Sequence, residues 1–314
     1  MMDFTGADFT GPSSRLTVDL DAIARNWLLL RKKLQNGADC AGVVKADSYG
    51  LGAAQVSRTL YAQGCRHFFV AQYAEGLKVK AALADIAVSF PHAPVSGVES
   101  VPDAPSIYVL EGPRGAPAAE YIQSGLVPVL NSPADIAHWR AAAAAAGQRL
   151  PCLLHIDTGM NRLGLNGTEV AVLAADKDAF AALDVRYAMS HLCCADEPAH
   201  PKNAEQLALF RALTAALGRP LRLSFANSGG IFLGPDYHFD LARPGCAIYG
   251  INPTGLPQNP MQGTVLFEGR ILQNRIIDRP GSVGYGAGYA VAPGQKCVTV
   301  SIGYADGYLR SLTG

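Results

Sequence analysis

The stretch "AGVVKADSYGLGA", Ala41 to Ala53, puts Lys45 at the end of a short apolar run and Tyr49 four residues later. A lysine in that place is either lifted into solvent or kept for chemistry. Its ε-amine can condense with an aldehyde, and burial keeps a neutral amine available. Two later stretches could hold an anion attached to that aldehyde. "NSGG", Asn227 to Gly230, and "RPGCAIYG", Arg243 to Gly250, combine the Ser228 hydroxyl with glycines whose backbone N–H groups can approach an anion closely. A lysine and a phosphate cradle together suggest pyridoxal phosphate. That cofactor withdraws electrons from a substrate Cα while the protein positions it and supplies bases.

These groups need a scaffold that brings distant loops to one mouth. Short apolar runs recur at 41–44, 67–71, 106–110, 126–130, 152–156, 185–190, 221–226 and 239–243. Helical patterns lie between them, for example at 52–63, 74–84, 132–147 and 204–217. Eight such repeats predict a (β/α)8 TIM-type barrel, which typically needs ~250 residues. An open doubly wound sheet is the competing architecture, but no GxGxxG turn follows an early strand. Pro128 is awkward in a central strand. In a barrel, catalytic groups follow the C-terminal strand ends. There lie Lys45 and Tyr49, "DTGMNRLG" from Asp157 to Gly164, His191, and the two glycine-bearing loops. After Gly250 the pattern changes to strands separated by Pro and Gly turns. We therefore expect a barrel over 21–255 and a second, mainly β C-terminal domain over 256–314 that is incomplete. Residues 1–20 are placed to add a strand to it through "RLTVDL".

Composition narrows the function. Lys+Arg and Asp+Glu both count 26, which argues against nucleic acid or an anionic membrane as the main partner. The hydrophobic fraction of 49% suits a large core, and no run approaches a membrane helix of ~20 residues. Seven cysteines without CxxC spacing, and an N-terminus without a signal-peptide pattern, predict a reduced, cytoplasmic chain. His155 and His200 lack the tight spacing of a metal site, so no metal is expected.

The motifs "VVKADSYGLG", "HIDTGMNRLG", "SHLCCADE", "ANSGG", "RPGCAIYG", "VGYGAGY" and "IGYADGY" resemble the alanine racemase family, in order, from about Arg15 to Tyr308. The resemblance implies a barrel plus a β domain, pyridoxal 5'-phosphate, a homodimer with shared active sites, and conversion of L-alanine to D-alanine for peptidoglycan. It makes Lys45 the cofactor-linked base on one face of the substrate, and Tyr285 of the other subunit the base on the opposite face. Inverting a stereocentre without a long proton detour needs a group on each face. A free tyrosine has a pKa near ~10, too high for an efficient base, so a cationic neighbour has to lower it. His191 resembles the histidine by the cofactor that hydrogen-bonds this tyrosine. Arg243 resembles the arginine facing the pyridine nitrogen. A guanidinium there donates a hydrogen bond and discourages ring protonation, which weakens the electron sink and favours racemisation over transamination. Tyr49, Ser228, Gly245 and the backbone of Cys246 would hold the phosphate, and Asn227 would shape the loop. Arg162 resembles the arginine on the substrate carboxylate, and Tyr304 one that lines the substrate entrance.

Two departures stand out. Many family members carry a lysine, often carbamylated, seven residues before the motif arginine; here that position is His155, which predicts no dependence on bicarbonate. Family members are also longer. The missing part includes a segment that binds the substrate carboxylate and a late tyrosine on the phosphate. The alternatives to an alanine racemase are a serine or broad-specificity racemase, a non-catalytic pyridoxal-phosphate-binding protein, and an inactive fragment.

Overall fold

The computed structural model describes residues 13–87 and 104–312. The chain divides into two units, one of 20–264 and one of 265–312 together with 13–19.

The larger unit is built on a parallel sheet. Seven strands run in sequence order: Gly42–Val43, His67–Val70, Ser106–Val109, Val127–Leu130, Leu150–His155, Leu183–Met189 and Leu223–Ser224. An eighth, Leu241–Ala242, pairs parallel with Asp39–Cys40, the start of strand one. Backbone bonds close the ring on both sides of it. Asp39, Ala41 and Val43 donate to Asp240, Ala242 and Pro244 at 2.9–3.1 Å, while Asp240 and Arg243 donate to Leu223 and Ala226 at 2.9 and 2.8 Å. The expected barrel is therefore present. Its strands read as unbroken apolar runs because both faces are buried. Ala41, Val43, Phe69, Tyr108, Val127, Val129, Leu153, Tyr187, Met189 and Leu241 fill its interior.

Strand four keeps its register despite Pro128, which stands opposite Val109 while Val129 and Leu130 pair with Leu153 and Leu154. Proline gives up one N–H, and its neighbours carry the pairing.

Helices Ala53–Ala62, Tyr73–Ala87, Pro133–Ala146 and Lys202–Ala216 occupy the predicted spans within a few residues. Ser132 caps the third by accepting from Asp135 N–H, and Gly147 ends it in the left-handed region. The repeat is incomplete at the seventh connection, which holds only 3-10 turns at Gly230–Phe232 and Pro235–Tyr237. The Gly229-Gly230 and Gly234-Pro235 pairs there oppose a regular helix. Helix Leu20–Lys33, ahead of strand one, supplies an extra element, with Ile23, Trp27 and Leu30 buried. Trp27 Nε1 donates to Ala41 O at 3.2 Å, and buried Asn26 exchanges hydrogen bonds with the Gln262 backbone.

The smaller unit is mainly β. Ser14–Val18 pairs antiparallel with Val265–Gly269, Ile271–Ile276 with Lys296–Val300, and Gly281–Val283 with Tyr289–Val291. Ile271, Leu272, Ile276 and Leu309 remain exposed.

Candidate active site

Lys45 stands at the end of strand one, half-buried, and the backbone beyond it is unusual. Ala46, Asp47, Ser48 and Tyr49 all lie in the left-handed region, with φ of 51–58°. For residues other than glycine this costs roughly 1–2 kcal/mol each, so the turn has to be held from outside. Glu75 holds it on one side: Oε1 accepts from Ala46 N–H at 2.7 Å, while Oε2 accepts from Ala71 and Gln72 N–H at 2.7 and 3.1 Å. The Asp47 carboxylate holds the exit by accepting from Ala53 N–H at 2.7 Å. The result aims Lys45 and Tyr49 into the same space. Burial, helped by the Arg162 charge and opposed by Glu75, lowers the Lys45 pKa and enlarges the neutral-amine fraction.

That space is a cavity of about 590 Å³ at the C-terminal strand ends. It is lined by Lys45, Tyr49, Gln72, Glu111, His155, Arg162, His191, Asn227, Ser228, Arg243, Gly245 and Cys246, with Val43, Phe69, Leu110, Met189 and Leu192 as apolar wall. Ten of the residues singled out from sequence thus meet in one place. Tyr285 and Tyr304 do not line it; they belong to the smaller unit, where they are 92% and 72% exposed.

One side of the cavity is a set of donors. Ser228 Oγ accepts from the N–H of Gly245 at 2.9 Å and of Ala247 at 3.2 Å, tying loops seven and eight together. The Cys246 N–H between them makes no hydrogen bond among the described residues. Gly245 is required by close approach, because a Cβ there would lie 2.4 Å from the Tyr49 hydroxyl. Gly229 is required likewise, since a Cβ would meet Ala195 C and O at 2.7 Å. The Tyr49 ring packs on Tyr249, whose hydroxyl donates to Val43 O at 2.9 Å. Asn227 spans two loops, donating to Leu192 O and accepting from Gly230 N–H, both at 3.0 Å. A phosphate fits this corner: the Cys246 N–H, the Ser228 hydroxyl and the Tyr49 phenol converge there.

Arg243 is buried and fixed by bonds to Ser224 Oγ and Ser190 O. Burial pulls its pKa down to about 9, which leaves it charged at neutral pH. Burial first, then the charges of Arg243 and Arg162, hold His191 well below its ordinary value, so its ring is neutral. The cationic neighbours in this cavity are therefore the arginines, not His191. The Arg162 loop is shaped by Asp157, whose Oδ1 accepts from the N–H of Gly159, Met160 and Asn161 at 2.9–3.1 Å.

His155 has a defined tautomer. Asn131 Nδ2 donates to Leu110 O and Val129 O, so Oδ1 is the atom facing His155 Nδ1 at 2.8 Å. Nδ1 therefore carries the hydrogen and Nε2 keeps its lone pair. Burial, then the Arg243 charge, lowers the pKa to about 4, so the ring is neutral. Stability follows with a definite sign. Between pH 6.5 and about 4 the unfolded chain binds a proton here that the folded chain does not. Stability therefore falls as pH falls through that window, by up to about 3 kcal/mol. Melting curves at pH 7.5 and 5 should converge for His155→Gln relative to the parent protein; an unchanged gap between the two pH values would remove His155 as the cause.

Glu75, Asn131 and Glu111 were not singled out from the sequence. Each follows an ordinary strand end or sits on a helix, with no motif around it.

The family model described as "Alanine racemase, N-terminal domain" matches residues 18–253, and "Alanine racemase, C-terminal domain" matches 264–314. The alanine racemase of Rhodospirillum rubrum is 51% identical over 94% of this chain and 74% of its own length. A catabolic alanine racemase of Mesorhizobium japonicum is 46% identical over 94% of this chain and 72% of its own. The crystal structure of Bartonella henselae alanine racemase with covalently bound pyridoxal phosphate superposes with a TM-score of 0.85 at 36% identity, covering 96% of this chain and 79% of that one. With both family models matched in order, and a barrel that gathers a lysine, two arginines and a donor-rich corner at its mouth, the chain belongs to the alanine racemase family.

Proposed function

We propose that this chain is a pyridoxal-phosphate-dependent alanine racemase, working in the cytoplasm as a homodimer and supplying D-alanine for peptidoglycan. The observation that carries the reading is one cavity lined both by a lysine of lowered pKa and by a corner of N–H, hydroxyl and phenol groups. Lys45 would bond the cofactor aldehyde. Ser228, Gly245, the Cys246 backbone and Tyr49 would hold its phosphate, Arg243 its ring nitrogen, and His191 its ring. Pyridoxal phosphate, when bound, draws electrons from the substrate Cα and makes its hydrogen acidic. The rest is done by the chain. Lys45 Nζ takes or returns the proton on one face, helped by its lowered pKa. Arg162 orients the substrate carboxylate, and His155 Nε2, as a neutral acceptor, steadies the guanidinium. Val43, Phe69, Leu110 and Met189 keep bulk water from the reacting side. On the other face the Tyr285 hydroxyl of a second copy carries the proton, and Tyr304 narrows the entrance. Tyr285 is 92% exposed in a single chain, which suits a residue that works in its neighbour. Exposed apolar residues of the smaller unit also suit further burial. All seven cysteines are free, in keeping with a reducing compartment.

The test is exchange in deuterated water. The cofactor-loaded protein should replace the Cα hydrogen of both alanine enantiomers and bring their ratio to one. Cofactor binding without exchange would instead leave a non-catalytic carrier.

Two further outcomes are expected. Gly245→Ala drives a methyl group into the Tyr49 hydroxyl. It should weaken cofactor affinity at least about tenfold, or 1.4 kcal/mol, measured by equilibrium dialysis; unchanged affinity would displace this corner as the cradle. Bicarbonate-free protein should keep full activity, because His155 acts without a carbamate. His155→Lys should make activity rise on adding bicarbonate. Activity of the parent protein that returns only with bicarbonate would contradict the role given to His155.

A further inference from the structure

Cys193 and Cys194 follow His191 directly after Leu192, and their side chains turn toward each other with Sγ atoms 3.6 Å apart. Cys193 is exposed and lines the cavity, while Cys194 is half-buried. The spacing is wrong for a disulfide, whose sulfurs stand about 2.05 Å apart and whose Cα atoms are normally farther apart than neighbours in a chain. It is right for one soft atom bonded to both sulfurs. Bonds of about 2.3 Å at angles between right and tetrahedral separate two sulfurs by roughly 3.3–3.8 Å. A divalent metal would need more ligands, and among the described residues no group of three His, Cys, Asp or Glu could hold one. A trivalent arsenic carrying one carbon substituent needs only two sulfurs.

We propose that Cys193 and Cys194 form a bidentate thiol site on the wall of the catalytic cavity, that it captures monosubstituted trivalent arsenicals, and that capture stops turnover. The step balances without redox change. An arsine oxide reacts with two thiols; two As–S bonds form, two S–H bonds break, and both protons leave with the oxide oxygen as one water. Arsenic stays trivalent. The hydrogen bond that Cys194 donates to Cys193, then burial, then the charges of Cys193, Glu197 and Asp196 raise the Cys194 pKa, which disfavours thiolate attack on peroxide but leaves a thiol for this condensation.

The link to turnover runs through Gln206, which is fully buried. Its Oε1 accepts from both Cys193 N–H at 3.0 Å and Cys193 Sγ at 3.2 Å. Its Nε2 donates to His191 O at 2.9 Å and to Thr158 Oγ1 at 3.1 Å. Capture removes the Cys193 thiol proton and with it one of the ties that set the His191 loop. It also places the arsenic substituent at the cavity wall.

Phenylarsine oxide tests this on the cofactor-loaded enzyme at one equivalent per chain. Intact mass should show one phenylarsine adduct per chain, and racemisation should fall at least tenfold. A dithiol such as 2,3-dimercaptopropanol should restore activity, and a monothiol should not. The Cys194 side chain has no hydrogen-bond partner but Cys193 among the described residues. Cys194→Ser should therefore need at least tenfold more reagent and release it to a monothiol. No adduct, or one equally tight on Cys194→Ser, overturns the site; an adduct with full activity overturns its link to turnover. The mass readout does not rest on the racemase reading, so failure of that reading would be seen separately.

Discussion

Lys45→Ala is expected to lower racemisation of both alanine enantiomers by at least about 10⁴-fold while leaving the barrel folded. The two effects separate because Lys45 is only half-buried at the strand end and is not part of the barrel interior. The strained turn after it is held through Ala46 N–H, Asp47 and Glu75, none of which the substitution removes. Removing a partly desolvated amine under the Arg162 charge also relieves like-charge crowding, so melting temperature should stay close to that of the parent or rise. The cofactor should still bind through the Ser228 and Gly245 corner, but without the absorbance band near the visible edge that a lysine-linked cofactor gives. Partial rescue by methylamine would tie the defect to the missing amine. Activity within tenfold of the parent, with the band intact, would end the role assigned to Lys45.

The sequence makes the chemistry more legible than the supports. Lys45, Tyr49, Ser228, Arg243 and Gly245 stand in motifs whose residue types announce anion and aldehyde chemistry, and all of them line one cavity. The spacing from Lys45 to Tyr49 resembles one helical turn, yet the hand is reversed. Nothing local in "KADSYG" signals a left-handed turn. It exists because Glu75, thirty residues on, offers a carboxylate to an N–H that would otherwise be unpaired. Asn131 is similar. Its role arises from the alignment of strands three, four and five, which brings two carbonyls and His155 around one amide. A lone asparagine after an apolar run carries no trace of that. Strands seven and eight were legible as apolar runs but pair over only two residues each, because the glycine- and proline-bearing loops after them take over the backbone. The smaller unit was readable as strands and turns, whereas the exposure of Tyr285 is a property of the folded chain.

Tyr285→Phe is the other large effect. The substitution removes one hydroxyl from a ring that is 92% exposed in the single chain, so stability should change by no more than about 0.5 kcal/mol. Racemisation should nevertheless fall by about 10²–10⁴-fold, the usual worth of a positioned acid or base. The asymmetry is more informative than the size. With Lys45 serving one face and Tyr285 the other, loss of the phenol should slow removal of the Cα hydrogen from L-alanine more than from D-alanine. Equal slowing from both sides would contradict two bases. Whether the phenol comes from a second copy can be read by mixing Lys45→Ala with Tyr285→Phe. If each site takes its lysine from one chain and its tyrosine from the other, a mixed dimer holds one intact site and one doubly altered site. Random reassortment then restores activity at about a quarter of all sites. If both groups come from the same chain, every site stays defective and the mixture is no more active than its parts.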